Sequence, residues 1–234
     1  MIKGLVNRII PFSSVDGPGN RTAIFLQGCN FNCLYCHNPE TINSSPKALS
    51  MTVEEVVSEI EKNKVFISGI TVSGGECTLQ SEFLTELFTE VKKLGLTCFV
   101  DTNGSIPLWE HEDLVAVMDM AMVDIKSYEN KEHKMLTGME NTTVIENVKY
   151  LAKLKKIYEI RTVVVPQVLD NYNNVHKISK FIATLDPDIR YKLIKYRQLG
   201  VRSEMISSYT PGDKAMKELE MIAVNNGCRN IVLV

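Results

Sequence analysis

Three cysteines, Cys29, Cys33 and Cys36, fall within eight residues in the stretch Gly28-Cys29-Asn30-Phe31-Asn32-Cys33-Leu34-Tyr35-Cys36-His37-Asn38-Pro39. Thiolates are soft metal ligands. Three of them can hold three irons of a [4Fe–4S] cube and leave the fourth iron open to a ligand, whereas a fully ligated cluster takes four. The competing chemistry is a structural zinc site made of the same three cysteines and His37, because Zn²⁺ accepts such a set. The spacing favours the cluster and leaves zinc open.

Other residues have the types needed to hold a small ligand. Gly74-Gly75-Glu76 joins a backbone of little bulk to a carboxylate that can accept from an ammonium group, although the same tripeptide serves as a plain turn. Asp101 and Asp124 can share a cation or take ribose hydroxyls, or simply cap helices. Lys126 and Arg161 can pair with a ligand carboxylate. An ion pair of Arg161 with Asp124 or Asp101 is the competing role. Tyr35 can stack on a flat ring or pack in a core. Asp16-Gly17-Pro18-Gly19 reads as a tight turn that, lying near a site, would touch a macromolecular substrate. Cys77, Cys98 and Cys228 read as small buried residues; Cys77 is the least secure of them because it adjoins Glu76.

The elements that must position these residues alternate. Apolar, β-rich runs near 22–27, 69–73, 97–101, 120–125, 158–165, 191–194 and 230–234 are separated by amphipathic segments at 53–62, 83–94, 142–155, 175–184 and 213–226. Thr52 and Glu55 form a capping-box pattern before the first of these helices. Such alternation predicts a mainly parallel sheet with right-handed crossovers. Six or seven strands are too few for a closed eight-stranded barrel, so the expected fold is α/β, a partial (β/α)6 barrel. Polar residues follow, end or lie on six of the strands: Cys29 follows the first, Ser73 to Glu76, Asp101 to Asn103 and Asp124 to Lys126 end the next three, Arg161 lies on the fifth, and Lys195 to Arg197 follow the sixth. In a parallel barrel those ends share one mouth, where catalytic residues collect.

Composition sets outer bounds. The chain has 234 residues, 44% of them hydrophobic and 23% charged, which suits a soluble globular domain, and its formal net charge of −2 gives no general drive toward nucleic acid or anionic membrane. No apolar stretch approaches the roughly 20 residues of a membrane span. Residues 1–10 lack the pattern of a signal peptide. With no disulfide framework among the scattered cysteines, a cytoplasmic location is expected.

The motifs in combination resemble the radical S-adenosylmethionine (SAM) superfamily. The closer likeness is to the activating enzymes of glycyl-radical enzymes, of the pyruvate formate-lyase activating type. The stretch from Ser14 through Asp16-Gly17-Pro18-Gly19-Asn20-Arg21 to Gly28-Cys29 carries most of that likeness. Cys36-His37-Asn38-Pro39, Ser73-Gly74-Gly75-Glu76, Asp101-Thr102-Asn103-Gly104, Asp124-Ile125-Lys126 and Arg161-Thr162-Val163-Val164-Val165-Pro166 continue it in order. The resemblance implies one radical SAM domain over 1–234. It implies that Cys29, Cys33 and Cys36 hold a [4Fe–4S] cluster whose open iron binds SAM. Gly74, Gly75 and Glu76 would cradle the SAM amino group, Lys126 would meet its carboxylate, Tyr35 and the backbone around His37 would face adenine, and Arg161 would line the pocket. Asp101, Thr102, Met122 and Asp124 match positions that hold a monovalent cation. The implied reaction cleaves SAM reductively to a 5′-deoxyadenosyl radical, which takes hydrogen from a glycine Cα of a partner glycyl-radical enzyme touched by Asp16 to Gly19. A flavodoxin or ferredoxin-type donor would supply the electron.

Two departures stand out. After the sixth strand the chain reads Lys195-Tyr196-Arg197-Gln198-Leu199-Gly200-Val201-Arg202, where pyruvate formate-lyase activases carry a histidine. That version is similar to the YjjW-like subgroup, whose members insert a ferredoxin-like, cysteine-rich segment after the Cys-His-Asn-Pro motif. Here residues 43–50 form only a short join, so a single cluster is expected. The competing readings are a radical SAM enzyme acting on a small molecule (the 7-carboxy-7-deazaguanine synthase type), an anaerobic ribonucleotide reductase activase, and a non-catalytic zinc module.

Overall fold

A computed structural model describes residues 2–234. The described residues form nine strands, seven α-helices and four short 3-10 turns. They divide into two compact units. The first takes residues up to Asn30, Glu40–Thr102 and Ile106–Met122; the second takes Phe31–Pro39, Asn103–Ser105 and Val123–Val234.

The first unit is built on β1 (Lys3–Ser13), β2 (Arg21–Leu26), β3 (Leu49–Thr52), β4 (Gly69–Gly74) and β5 (Thr97–Thr102), in the order β3-β1-β2-β4-β5. Strands β2, β4 and β5 are parallel, with Leu26 opposite Gly74 and Val72 opposite Val100. Every residue of β2 is buried, which is why it reads as an unbroken apolar run rather than an alternation. Helices α1 (Val53–Glu61) and α2 (Ser81–Lys93) turn Val56, Ile60, Leu84, Leu87, Phe88 and Val91 into the core. Thr52 and Glu55 cap α1 reciprocally, as the sequence predicts. A short α3 (Glu112–Val117) completes the unit.

Two expectations change here. Strands β1 and β3 raise the count above six or seven, and both pair antiparallel, β1 with β2 and with β3. Bulges between Val6 and Arg8 and between Ile10 and Ser13 break the two-residue period of β1, which hides it in the sequence. The β1–β2 connection therefore lies at the start of β2. It carries Asp16 to Gly19, which sit at the N-terminal ends of the parallel strands and not at the ends bearing Cys29.

Arg21 explains what holds that turn. It is almost wholly buried, with its guanidinium 4.1 Å from the Phe99 ring centroid. Its Nε donates to Thr71, and its terminal nitrogens reach the carbonyls of Ile70, Thr97 and Pro18. The hydroxyl of Thr71 in turn donates to the Asp16 carbonyl. One buried cation thus ties the turn to two strands.

Strand β6 (Met120–Asp124) gives its first three residues to the first unit and its last two to the second. The second unit has β7 (Ile157–Val164), β8 (Arg190–Lys195) and β9 (Ile231–Leu233), paired parallel in that order. Helix α4 (Asn130–Thr137) precedes α5 (Thr142–Lys153), and α6 (Asn171–Leu185) and α7 (Asp213–Asn225) make the crossovers between β7, β8 and β9. Gly138, at φ +83°, ends α4 in the left-handed conformation that favours glycine. No helix among the described residues is long and apolar enough to cross a membrane.

Candidate active site

In the first unit, three of the sequence-predicted groups meet at the C-terminal ends of β2, β4 and β5. The loop after β4 lies directly against the loop after β2: Gly75 N–H donates to the Leu26 carbonyl at 3.0 Å, and Glu76 N–H to the Gly28 carbonyl at 2.7 Å. From the other side, Gly28 and Cys29 donate to the carbonyls of Thr41 and Ile42. Cys29 is thereby held between two backbone segments. A Cβ on Gly75 would come within 2.1 Å of the Gly28 oxygen, and one on Gly74, at φ +126°, within 2.2 Å of the Leu26 oxygen. Glycine is obligatory at both places for backbone reasons alone. An ammonium ligand needs acceptors, so these spent N–H groups take nothing from its binding.

Glu76 is fully buried. Its Oε1 accepts from the Thr78 N–H at 3.0 Å, the Thr78 hydroxyl at 2.6 Å and the Thr102 hydroxyl at 2.7 Å. Ser73 donates to Asp101 at 3.0 Å, which joins the ends of β4 and β5. Met122 is buried in β6. Cys77 donates its thiol to carbonyls of Val72 and Asp101, and burial pushes its pKa well up, so it remains a small buried residue as expected.

The second unit carries Cys33, Tyr35, Cys36 and His37. Helix α4 leaves its last carbonyls without partners inside the helix. The cysteine loop supplies them, with Asn32 N–H donating to Thr137 and Leu34 N–H to Leu136. Cys36 N–H closes the turn onto the Cys33 carbonyl. Tyr35 is buried among Leu136, Val163, Val165, Leu169, Tyr196 and Ile206. Its hydroxyl has no hydrogen-bond partner. Lys126 Nζ stands 5.8 Å from the Tyr35 ring centroid and 2.5 Å from Asp124.

Electrostatics follow from this packing. Burial opposes the Lys126 charge, but Asp124, Tyr35 and Cys33 outweigh it and hold its pKa well above the usual lysine value. Burial pushes the Cys33 thiol up to about 11 against the pull of Lys126, with Cys36 and Asp124 adding to the rise. A metal that binds such a thiol displaces its proton. His37 is lowered, chiefly by burial, and its Nε2 lies 3.1 Å from the Arg197 carbonyl.

Arg161 donates through Nε to Glu159 at 2.7 Å. Glu159 is buried and also meets Arg190 and Lys192. Sequence reasoning did not single it out. The pairing of Glu159 with Arg161 two residues along one strand was the available signal, since such residues share a face. Thr78 and α4 were also missed.

None of the six cysteines is joined in a disulfide, and Cys29, Cys33 and Cys36 are half-buried. Among the described residues, no three histidine, cysteine or acidic side chains gather around a single metal-ion position. A cube spreads three thiolates over three irons, so it does not need them to converge on one ion.

The sequence pattern of the Radical SAM superfamily matches residues 23–178. The chain belongs to the radical SAM superfamily. It is 36% identical to the pyruvate formate-lyase-activating enzyme of Staphylococcus aureus strain USA300, over 93% of this chain and 94% of that protein. The crystal structure of a domain of pyruvate-formate lyase-activating enzyme from Bacteroides vulgatus superimposes with a TM-score of 0.62 at 20% identity, over 72% of this chain and 99% of that one. Streptococcus suis SuiB bound to S-adenosylmethionine gives 0.70 at 15% identity, over 88% and 48%. These two structures share the fold, and the expected partial TIM-like barrel of radical SAM type is that fold. This radical SAM protein is an enzyme, homologous to an oxidoreductase-type activase. Its family implies a [4Fe–4S] cluster and SAM.

Proposed function

We propose that this enzyme activates a glycyl-radical enzyme by removing hydrogen from a glycine Cα of that partner protein. The observation that carries the reading is its 36% identity to a pyruvate formate-lyase-activating enzyme along nearly the whole chain. Cys29, Cys33 and Cys36 hold one [4Fe–4S] cluster. Three half-buried cysteines outside any disulfide, in a stretch fastened by backbone hydrogen bonds, support that role. When bound, the cluster and SAM supply the electron transfer and bond cleavage that create a hydrogen-abstracting radical.

The chain's own residues bind and orient. Gly74 and Gly75 bring the backbone close enough for carbonyl oxygens to face the SAM amino group. Glu76 fastens that turn through Thr78 and Thr102. Lys126, charged and only 12% exposed along its side chain, meets the SAM carboxylate. Tyr35 and the backbone around His37 face adenine, and Arg161 lines the pocket. Asp101, Thr102, Met122 and Asp124 take a monovalent cation. Asp16, Gly17, Pro18 and Gly19 contact the partner. The two units work as one radical SAM domain, a reading supported by a family match that spans residues of both. The electron comes from a flavodoxin or ferredoxin-type donor, and the setting is the anaerobic cytoplasm.

The test is anaerobic reconstitution with iron and sulfide, then SAM, a strong reductant and candidate glycyl-radical enzymes in turn. A glycyl doublet by electron paramagnetic resonance with one partner is the expected result. Formation of 5′-deoxyadenosine with no protein radical in any mixture would move the reading to a small-molecule substrate.

A further inference from the structure

The segment after β8 departs from the family likeness, and it grips the cysteine loop. Arg202 Nη2 donates to the Cys33 carbonyl at 2.9 Å. The Arg197 carbonyl meets His37 Nε2, and the Gly200 backbone passes so near that a Cβ there would be 3.3 Å from the His37 oxygen. Val201 and Leu34 pack against the same core as Tyr35. These contacts make residues 197–202 the outer wall of the loop that bears Cys33 and Cys36.

We propose that Arg202 is a positioning residue that raises the reduction potential of the cluster borne on that loop. The inference rests on the cluster reading given above. A guanidinium is rigid and planar, so anchoring Nη2 on Cys33 fixes Nε beside the same residue. That Nε is buried and has no hydrogen-bond partner. Buried donors are nearly always paired, and sulfur atoms of a cluster accept hydrogen bonds that tune its potential. The charge acts in the same direction. Reduction adds a negative charge to the cluster, and a fixed positive charge nearby in a half-buried place stabilises the reduced form. Lys126, which also acts on Cys33, is paired with Asp124, whereas Arg202 donates to a neutral carbonyl. Unlike a histidine, arginine keeps its charge at every working pH.

The experiment is a redox titration of the whole reconstituted chain, followed by electron paramagnetic resonance. Iron and sulfide are counted first. Wild-type protein without iron would defeat the cluster reading itself. In Arg202→Gln, an amide donor remains for the Cys33 carbonyl but the charge is gone. Its ratio of reduced to oxidised cluster should fall about tenfold at the wild-type midpoint, a shift of about 59 mV for one electron. Arg202→Lys keeps the charge and should stay within about threefold, since only geometry changes. Amide exchange over residues 32–37 should be unchanged in both. An unshifted Arg202→Gln, or a shift of equal size in Arg202→Lys, overturns the inference. Should Arg202→Gln fail to load iron, Arg202→Lys decides: a retained potential upholds it and a tenfold fall overturns it.

Discussion

Thr102 donates its hydroxyl to Glu76 at 2.7 Å, linking the last residue of β5 to the carboxyl that shapes the turn after β4. Both partners are buried, so neither can turn to water instead. Thr102→Val should destabilise the apoprotein by about 1–3 kcal/mol, the cost of leaving a buried acceptor short of a donor. Anaerobic urea unfolding measures it; an unchanged midpoint would show that Glu76 is satisfied without Thr102.

Two glycines of the same turn system should respond differently. At Gly75 an added methyl meets the Gly28 backbone, so Gly75→Ala must push the Cys29 segment away, at about 1–3 kcal/mol and with loss of iron binding. Gly28→Ala has open space but a φ of +102°, so it costs about 1–2 kcal/mol of strain and displaces no neighbour. Iron content after reconstitution separates them. Equal loss in both would refute the close-approach account.

Serine at Cys29, Cys33 or Cys36 should abolish the brown chromophore. Serine at Cys98 or Cys228, buried away from the motif, should leave roughly four irons per chain, one cube's worth. An iron count near twice that value would mean a second cluster and would end the single-cluster proposal.

Asp124→Asn strands the Lys126 charge in a place only 12% exposed along its side chain. Breaking one partner of such a pair costs about 3–5 kcal/mol when fully buried, so a loss at the lower end is expected. Lys126→Met removes the charge and should cost less stability while weakening SAM binding. Equilibrium dialysis and thermal unfolding on the two variants give the comparison; a more stable Asp124→Asn would refute the pairing.

His133 should limit stability in acid. It is fully buried and sits edge-on to Phe31 at 5.4 Å between centroids. Burial first, and Lys126 second, lower its pKa from 6.5 to about 4. A histidine depressed on folding contributes stability above its unfolded value, and that contribution is lost as pH falls through the window from 6.5 to about 4. The loss amounts to up to about 3 kcal/mol. His133→Leu should flatten the unfolding midpoint across that window; an equally steep decline in the variant would assign the acid limb to other groups.

The parallel strands were legible because burial on both faces leaves runs such as Thr22 to Leu26 with no polar interruption. The helices were legible from their caps and spacing, Thr52 and Glu55 above all. Strand β1 escaped because its two bulges scramble the alternation. Helix α4 escaped because only a few of its residues face inward, and the carbonyls of Leu136 and Thr137 that hold the cysteine loop belong to the backbone, which sequence does not display. The site residues announced themselves by chemical type. What fastens them did not: Thr78 and Arg202 act through partners far away in the chain or through the main chain, and no local pattern encodes such a contact.

The hairpin of β1 and β2 also sets a length. It leaves Asp16 to Gly19 at one end of a six-residue strand and Cys29 beyond the other, and strands rise about 3.3 Å per residue. A macromolecule touching the turn while serving chemistry beside Cys29 must bridge about 20 Å. A compact loop tip cannot do so. The partner surface matching this enzyme would need either an extended arm of about six residues, at about 3.3 Å each, or a footprint wide enough to engage both ends at once.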